Sequence, residues 1–427
     1  MPNCPRYGAS IVLLALLAPA VALADEAQRK AAHEAVGIHL EAERYDEALN
    51  VAQRSVRSTE QEVGAEGVAL VIPLLDLARA QRIVGEFAVS ETNYQRAISL
   101  IEAESGPYDR ALIRPLSGLG ELQIEQKRYE EAIESFQRAR HIWHRTDGIN
   151  TLRQLDVIDR LADSFLGARM LLEANRAKIR AFRISEHHYG NATLQAVPAI
   201  RELADWFLQT GQYPNSINLY ERALRVLERE HGASDPRLVP VLNGLAVARG
   251  ANGFRLGEAE DALERVLEIV EQDPDAGVAE RVSALINLGD WYIQSDEARE
   301  AQDLYRRAWD LLEGEAEFAD DRETLFGQPV NLRFPPMPVY QPIPPVPFQE
   351  IDYSELRERF VDIEFRVGAD GRVSDVTIVD ADSPVAHMYY VRQRMYEAIY
   401  RPRLEDGEPV ETELRLRQII PPVPSGY

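Results

Sequence analysis

One small residue recurs through this chain at a nearly constant interval. Ala48, Ser90, Ala132, Ala174, Ser216, Ala259 and Ala301 are separated by 42, 42, 42, 42, 43 and 42 residues. A fixed period of this length marks one supersecondary unit stacked on copies of itself. A second series keeps the register from the second repeat on: Leu77-Ala78, Leu119-Gly120, Leu161-Ala162, Leu203-Ala204, Leu245-Ala246 and Leu288-Gly289. Small side chains on two helices let the helices approach closely, and larger neighbours fill the space beside them. The spacing predicts seven helix-turn-helix repeats over residues 31–313, and so a mainly α fold. The one extra residue is placed at the turn before Leu256, where an insertion costs little. Pro73, Pro115, Pro198 and Pro240 mark starts of first helices, because a first-turn N–H has no intrahelical partner to lose.

The segment LGELQIEQKRYEEAIESFQRA places Leu119, Gly120, Tyr129, Ala132, Phe136 and Ala139 at the offsets of the tetratricopeptide repeat. The chain resembles that family in a longer, 42-residue form. Repeat 4 departs from it, with Leu171 and Lys178 where aromatics would sit, and repeat 1 is weak, as a terminal repeat can be. The resemblance implies a solenoid with a concave groove lined by the first helices. It also implies that the position after the Leu-Gly pair points into that groove. Glu121, Asp163, Asp205 and Asp290 stand there, interrupted by Arg79 and Val247. One reading is an acidic stripe that selects a basic or amine-bearing protein segment. The other is a solvated face on an acidic protein.

Acidity is general in this chain. It has 427 residues and a formal charge of −23, and its few lysines are Lys30, Lys127 and Lys178. A nucleic-acid partner needs a basic face to neutralise phosphates, so nucleic acid is not expected, and an anionic membrane surface is disfavoured for the same reason. The N-terminus reads as an export signal over residues 1–24. Arg6 supplies a small positive region, residues 11–17 are an apolar run, and Ala22-Leu23-Ala24 offers a small-x-small cleavage site. The 16 residues from Ala9 to Ala24 would reach roughly 24 Å as a helix, short of a hydrocarbon core of about 30 Å. Retention as an inner-membrane anchor is the alternative. Cys4 precedes the apolar run, so cleavage after Ala24 would leave no cysteine and no disulfide.

Residues 25–315 are assigned to the solenoid and residues 316–350 to a linker. Residues 329–347 carry eight prolines in 19 residues, PVNLRFPPMPVYQPIPPVP. Such a segment is expected to be extended polyproline II rather than helix or central strand, as a spacer or as a strap on the last repeat. A small α+β domain is expected over residues 351–427. Val361, Ile363, Phe365 and Val367 alternate with Asp362, Glu364 and Arg366 as in a half-buried strand. Asp370-Gly371 makes a hairpin turn into a strand from about Arg372 to Asp380. Ser383-Pro384 opens a helix with Val391, Met395 and Ala398 as its buried stripe. Asp406-Gly407 makes another turn. A last strand from Glu411 to Ile420 points Thr412, Leu414 and Leu416 inward and Glu411, Glu413, Arg415 and Arg417 outward. The order is β-β-α-β.

The stretches VDIEFRVGADGRVSDVTIVDADSP and YRPRLEDGEPVETELRLR, with the helix between them, resemble the C-terminal domain of the TonB family of energy transducers. A glycine usual before the first strand is replaced by SELRERF. The membrane histidine of energised members has no counterpart in residues 9–24. The resemblance implies that an extended peptide, from the periplasmic end of an outer-membrane transporter, adds to the edge formed by Glu413, Leu414, Arg415, Leu416, Arg417 and Gln418. Unpaired N–H and C=O groups on such an edge would hold it. Cover by the PPVPSGY tail, or pairing with a second copy as a homodimer, are the alternatives.

No enzymatic motif is found: there is no P-loop, GxSxG, HExxH or paired CxxC. No cofactor and no metal are expected. His141 and His144 lack a further ligand, His187-His188 is assigned to an inter-repeat loop, and Asp370 with Asp375 is assigned to turn and strand surface. The sequence as a whole points to a periplasmic protein-binding adaptor of the cell envelope. Its alternatives are a membrane-anchored energy transducer and a structural envelope protein with a dimerising C-terminal domain.

Overall fold

Short and long helices alternate along the chain, because each repeat spends its residues in the same way. The computed structural model describes residues 11–253, 256–313, 316–335, 358–383 and 385–420, and nothing is described of the side chains of residues 11–25. The expectations on Cys4, Arg6, Pro384, the tail 421–427 and most of the proline-rich segment lie outside the described residues. Two compact units are formed, Met1–Leu203 and Ala204–Tyr427. Among the described residues, no helix is long and apolar enough to cross a membrane.

The first unit holds α1 (Ile11–Glu41), α2 (Tyr45–Val63), α3 (Val71–Ile83), α4 (Phe87–Ser105), α5 (Ile113–Glu125), α6 (Tyr129–Asp147), α7 (Leu155–Gly167) and α8 (Leu171–Tyr189). The division falls within α9 (Val197–Gln209). First helices α3, α5 and α7 have 13 residues, and second helices α2, α4, α6 and α8 have 19. Each of α3, α5 and α7 follows a single 3-10 turn. Pro73 and Pro115 sit in their first helical turns, as expected of a residue with no N–H to donate.

Ala48, Ser90, Ala132 and Ala174 are each 0% exposed, because each lies where the two helices of a hairpin touch. Opposite Ala132 the first helix has Gly120, and a Cβ there would come within 2.6 Å of the Phe136 ring. Where serine replaces alanine, its hydroxyl is not orphaned: Ser90 Oγ donates to the Ala78 carbonyl at 2.7 Å. Repeat 4 breaks the aromatic series with Lys178. Its ammonium donates to Asp159 at 2.8 Å and Glu202 at 3.2 Å. Burial works against that charge, but the two carboxylates outweigh it and hold the lysine above its ordinary range.

A further period lies in the backbone. The turn between the helices of a hairpin uses a left-handed residue every time. In the first unit these are Glu43, Gly85, Lys127 and Arg169, with φ of 56°, 82°, 60° and 62°. Only glycine adopts that region without a steric penalty.

The second unit continues with α10 (Tyr213–His231), α11 (Val239–Asn252), α12 (Leu256–Gln272), α13 (Val278–Gln294), α14 (Ala298–Glu313) and α15 (Ala319–Phe326). Ser216, Ala259 and Ala301 are again 0% exposed, and Ser216 Oγ donates to the Ala204 carbonyl at 2.8 Å. There follow β1 (Val330–Arg333), β2 (Arg359–Val367), β3 (Val373–Ala381), α16 (Val385–Met395), β4 (Ile399–Arg401), β5 (Arg403–Glu405), β6 (Glu408–Val410) and β7 (Thr412–Ile420). The main sheet is antiparallel with order β3-β2-β7. Val361, Ile363, Phe365 and Val367 face Val391, Met395 and Ala398 in one buried cluster. Asp406 and Gly407, both at positive φ, turn β5 into β6.

Three expectations need correction here. Residues 316–333 are not an extended linker: they form α15 and β1. Phe326 is 0% exposed, edge-on to Tyr305 and tilted against Trp309, so α15 closes the apolar end of the last hairpin. Strand β1 is possible despite Pro329 because, among the described residues, it pairs only with β4. The order β-β-α-β gains three short strands, β4 to β6, ahead of the last one. His187 and His188 lie in the last turn of α8, not in a loop, and are edge-on to one another at 5.5 Å.

Strand β4 sets the small domain on the last hairpin. Arg401 is 7% exposed and forks onto Asp290 of α13 at 2.8 and 2.7 Å. It also donates to the Leu325 carbonyl at 3.1 Å and lies over the Phe326 ring. Arg306 with Glu408 and Arg372 with Asp296 add outer pairs at 2.7 and 2.8 Å. Those are exposed and contribute little next to the buried fork.

Four outcomes follow for urea unfolding of the purified chain. Arg401→Ala removes a buried guanidinium and strips the half-buried Asp290 carboxylate of its partner, and is expected to cost about 3 kcal/mol. Lys127→Gly is expected to raise stability by about 0.5–1 kcal/mol by relieving the left-handed turn. Ser90→Ala is expected to cost no more than about 1 kcal/mol, since it loses one hydrogen bond, whereas Ser90→Leu overpacks the contact and costs about 1–3 kcal/mol.

Candidate functional site

The four groove acids are all carried by first helices, one position after the Leu-Gly or Leu-Ala pair. In the first unit, Glu121 of α5 pairs with Arg82 of α3 at 2.8 Å. Asp163 of α7 lies 3.7 Å from Arg160, one turn back on the same helix. Burial raises the Asp163 carboxyl above its usual range, against the pull of Lys178 and Arg160. In the second unit, the Tyr220 hydroxyl donates to Asp205, and Tyr305 donates to Asp290 at 2.8 Å. Each tyrosine stands 15 residues after its acid, so one hydrogen bond recurs in two hairpins. Asp290 in addition holds Arg401. The stripe expected to select a basic segment is therefore engaged at every position with groups of the chain itself.

Arginine 79, which interrupts the acidic series, lies in a different environment. A groove of about 400 Å³ in the first unit is lined by Arg79 and Arg82 of α3, Tyr94 of α4, Arg114 of α5 and Trp143 of α6, among others. Sequence reasoning treats Arg79 as a break and does not single out Arg114. The two come together because α3 and α5 stand side by side, which no spacing along a single helix reveals.

In the second unit β7 pairs with β2 from Thr412 to Ile420, and among the described residues no strand pairs with its other edge. Leu414 and Leu416 pack against the domain core, while Glu413, Arg415 and Arg417 are exposed. Arg417 forks onto Asp362 at 2.7 Å through both contacts, and Arg415 reaches Glu364 at 3.7 Å. The first of these pairs holds the Asp362 carboxyl below its usual range. Gln418 donates to the Ile419 carbonyl at 2.6 Å. These pairs occupy the solvent face of β7, while its free edge lies in the sheet plane.

The histidines are separated by their partners. His141 is edge-on to Tyr108, whereas His144 Nε2 meets Gln154 at 2.9 Å. Among the described residues no group of three or more His, Cys, Asp or Glu is placed to hold a metal ion.

Comparison with known proteins bears on the repeats. BtubC from P. vanneervenii is similar at 21% identity over 53% of this chain and 90% of that one, with a TM-score of 0.41. The C-terminal part of a repeat-containing protein from Cytophaga hutchinsonii is similar at 12% identity over 67% and 98%, with a TM-score of 0.45. YrrB, described as having an unusual peptide-binding site, is similar at 17% identity over 54% and 97%, with a TM-score of 0.32. No curated protein matches the chain. Residues 72–143 and 196–272 match the tetratricopeptide repeat. Together with the helix pairs and the buried small residues already described, those residues carry tetratricopeptide repeats, a fold that typically serves as a protein-interaction scaffold.

Proposed function

We propose that this chain is a periplasmic protein-binding adaptor of the cell envelope. Its repeats hold one protein partner, and its C-terminal domain, which resembles that of the TonB family, takes an extended peptide on the edge of β7. The observation that carries this reading is the free edge of β7 in a three-stranded sheet. A peptide strand added there gains main-chain hydrogen bonds without disturbing the core, since Leu414 and Leu416 already point inward. The pairing of Arg401 with Asp290 supports it further, because it seats the small domain against the last hairpin. Export is supported by the apolar run of residues 11–17 and by Ala22-Leu23-Ala24. The peptide class follows from the resemblance alone: a periplasmic segment of an outer-membrane transporter. Nothing among the described residues points to catalysis.

Two measurements check this. Protein recovered from cells is expected to begin at Asp25 and to fractionate with the periplasm. A chain that begins at Met1 and sediments with the inner membrane would put the anchored transducer in its place. Separately, a photoreactive phenylalanine at position 413 of the purified full chain is expected to crosslink to a synthetic periplasmic segment of an outer-membrane transporter. Crosslinks only to a second copy would make the edge a dimer contact and end the peptide reading.

A further inference from the structure

The second helices carry a charged period of their own. Arg54, Arg96, Arg138, Arg180, Arg222, Arg265 and Arg307 keep the spacing of the small series. These arginines stitch a hairpin to the one before it. Arg96 of α4 donates to Glu60 in the last turn of α2 at 2.6 Å and to the Ala65 carbonyl just beyond it at 2.7 Å. Arg138 of α6 takes Glu102 and the Pro107 carbonyl at the end of α4 in the same way. In the second unit Arg265 of α12 takes Glu228 and the Ala233 carbonyl at the end of α10. Arg180 keeps the carbonyl contact, to Ile149, although His144 stands where the glutamate would. Arg54 of α2 holds the same place in the first repeat, and among the described residues it has neither acceptor. It lines an open cavity of about 250 Å³ between α1 and α2. The first helix of that repeat is open as well. Ile38 is 60% exposed, whereas its counterparts Ala80, Leu122, Ser164 and Ala248 are 0% exposed. Ala31 and Ala35 share the face of Ile38 and are exposed and half-buried, where Pro73 and Leu77, or Pro115 and Leu119, are buried. The reason is a missing neighbour. Helix α3 packs on α2, α5 on α4 and α7 on α6, while among the described residues no second helix stands before α1.

We propose that a helix of a partner protein docks on this end of the first repeat, in the place that a preceding second helix takes in the later repeats. This rests on the reading of the repeats as partner-binding, and it names the surface and the form of the partner. The later repeats define what fits: a helix with an apolar stripe for Ala31, Ala35 and Ile38, a glutamate in its last turn, and free carbonyl groups just beyond for Arg54. A guanidinium matches a carboxylate through paired N–H donors, and a cation is also favoured at a helix C-terminus. Burial of Ile38 adds an apolar gain. A terminal repeat that only faces water carries a polar outer face, which an exposed isoleucine beside an unfilled arginine is not. A second copy cannot supply the helix by continuing the stack. Helix α15, entered through a 3-10 turn as other first helices are, already lies against α14 with Phe326 on Tyr305 and Trp309.

The probe is a fluorescein-labelled peptide of residues 87–108 held helical by a hydrocarbon staple, the helix and turn that serve Arg138 within the chain. Titrated into the purified full chain and followed by fluorescence anisotropy, it is expected to bind. Ile38→Asp is expected to weaken binding about tenfold or more, and Arg54→Gln about fivefold. A peptide carrying Glu102→Gln is expected to show the Arg54→Gln loss on the original chain and no further loss on the Arg54→Gln chain, because both changes remove one contact. Ile38 and Arg54 are exposed, so circular dichroism is expected to be unchanged. Arg176→Gln removes equal charge from an exposed position of α8 and is expected to leave binding within about twofold. No binding up to about 1 mM peptide overturns the proposal. So does binding that Ile38→Asp or Arg54→Gln leaves unweakened, since the peptide would then sit elsewhere, and so does an equal loss in Arg176→Gln. A concentration-dependent dimer of the full chain that Ile38→Asp dissolves also overturns it, because the occupant would then be a second copy. If this peptide fails while position 413 still captures its own, the end face falls and the edge reading stands. If this peptide binds while that capture fails, the end face survives the loss of the edge.

Discussion

The close approach of two helices at one small residue is the constraint on which the rest depends. A side chain larger than alanine or serine at Ala48, Ser90, Ala132 or Ala174 would separate the helices of its hairpin. The aromatic that follows on the second helix would then lose its seat, as Phe136 would beside Gly120. Hairpins stack by burying each other's apolar faces, so a defect in one is shared with its neighbours. That is why the small residue holds its place, while the aromatic position can become Lys178 where two carboxylates are near enough to satisfy an ammonium.

The second constraint is local and electrostatic. A guanidinium buried as deeply as that of Arg401 is tolerable only if its donors are taken up, and Asp290 and the Leu325 carbonyl take them. The partners come from α13 and from the end of α15, so the arginine ties β4 to both. Strand β1 then leaves α15 and pairs alongside β4, from Val330 opposite Arg401 to Arg333 opposite Ile399. A groove position in the last repeat is therefore a joint inside the chain. Tyr305 donates to the same carboxylate, as Tyr220 does to Asp205. The joint elaborates a hydrogen bond that the repeats already use.

Much of this was legible in the residues. The small series marks every hairpin contact, the prolines mark first-helix starts, and alternation finds β2 and β7 with the correct inward faces. What escapes notice has a physical reason. Strand β1 takes its partner about 70 residues further on, and helix α15 is fixed by Tyr305 and Trp309 before it and Arg401 after it, so no local pattern announces them. The turn series Glu43, Gly85, Lys127, Arg169 holds the period in φ and not in residue type. Glycines at 64, 106, 148, 190 and 232 also hold it, each closing a second helix at positive φ, and these were readable. The groove was the least legible feature. A sequence shows which charges stand at a position, but not which of them are already paired.

That distinction decides what the groove offers a partner. At Glu121 the neighbouring helix supplies Arg82, at Asp163 its own helix supplies Arg160, and at Asp290 the C-terminal domain supplies Arg401. Asp205 takes a tyrosine hydroxyl. An acid that must first be freed from such a contact gives a basic ligand little net gain, since the new pair only replaces the old one. Among the described residues Arg79 and Arg114 make no ion pair of this kind, and the acid whose charge they share is the buried Asp76. Net charge governs what approaches the groove from a distance, but the pairing of individual groups governs what it holds.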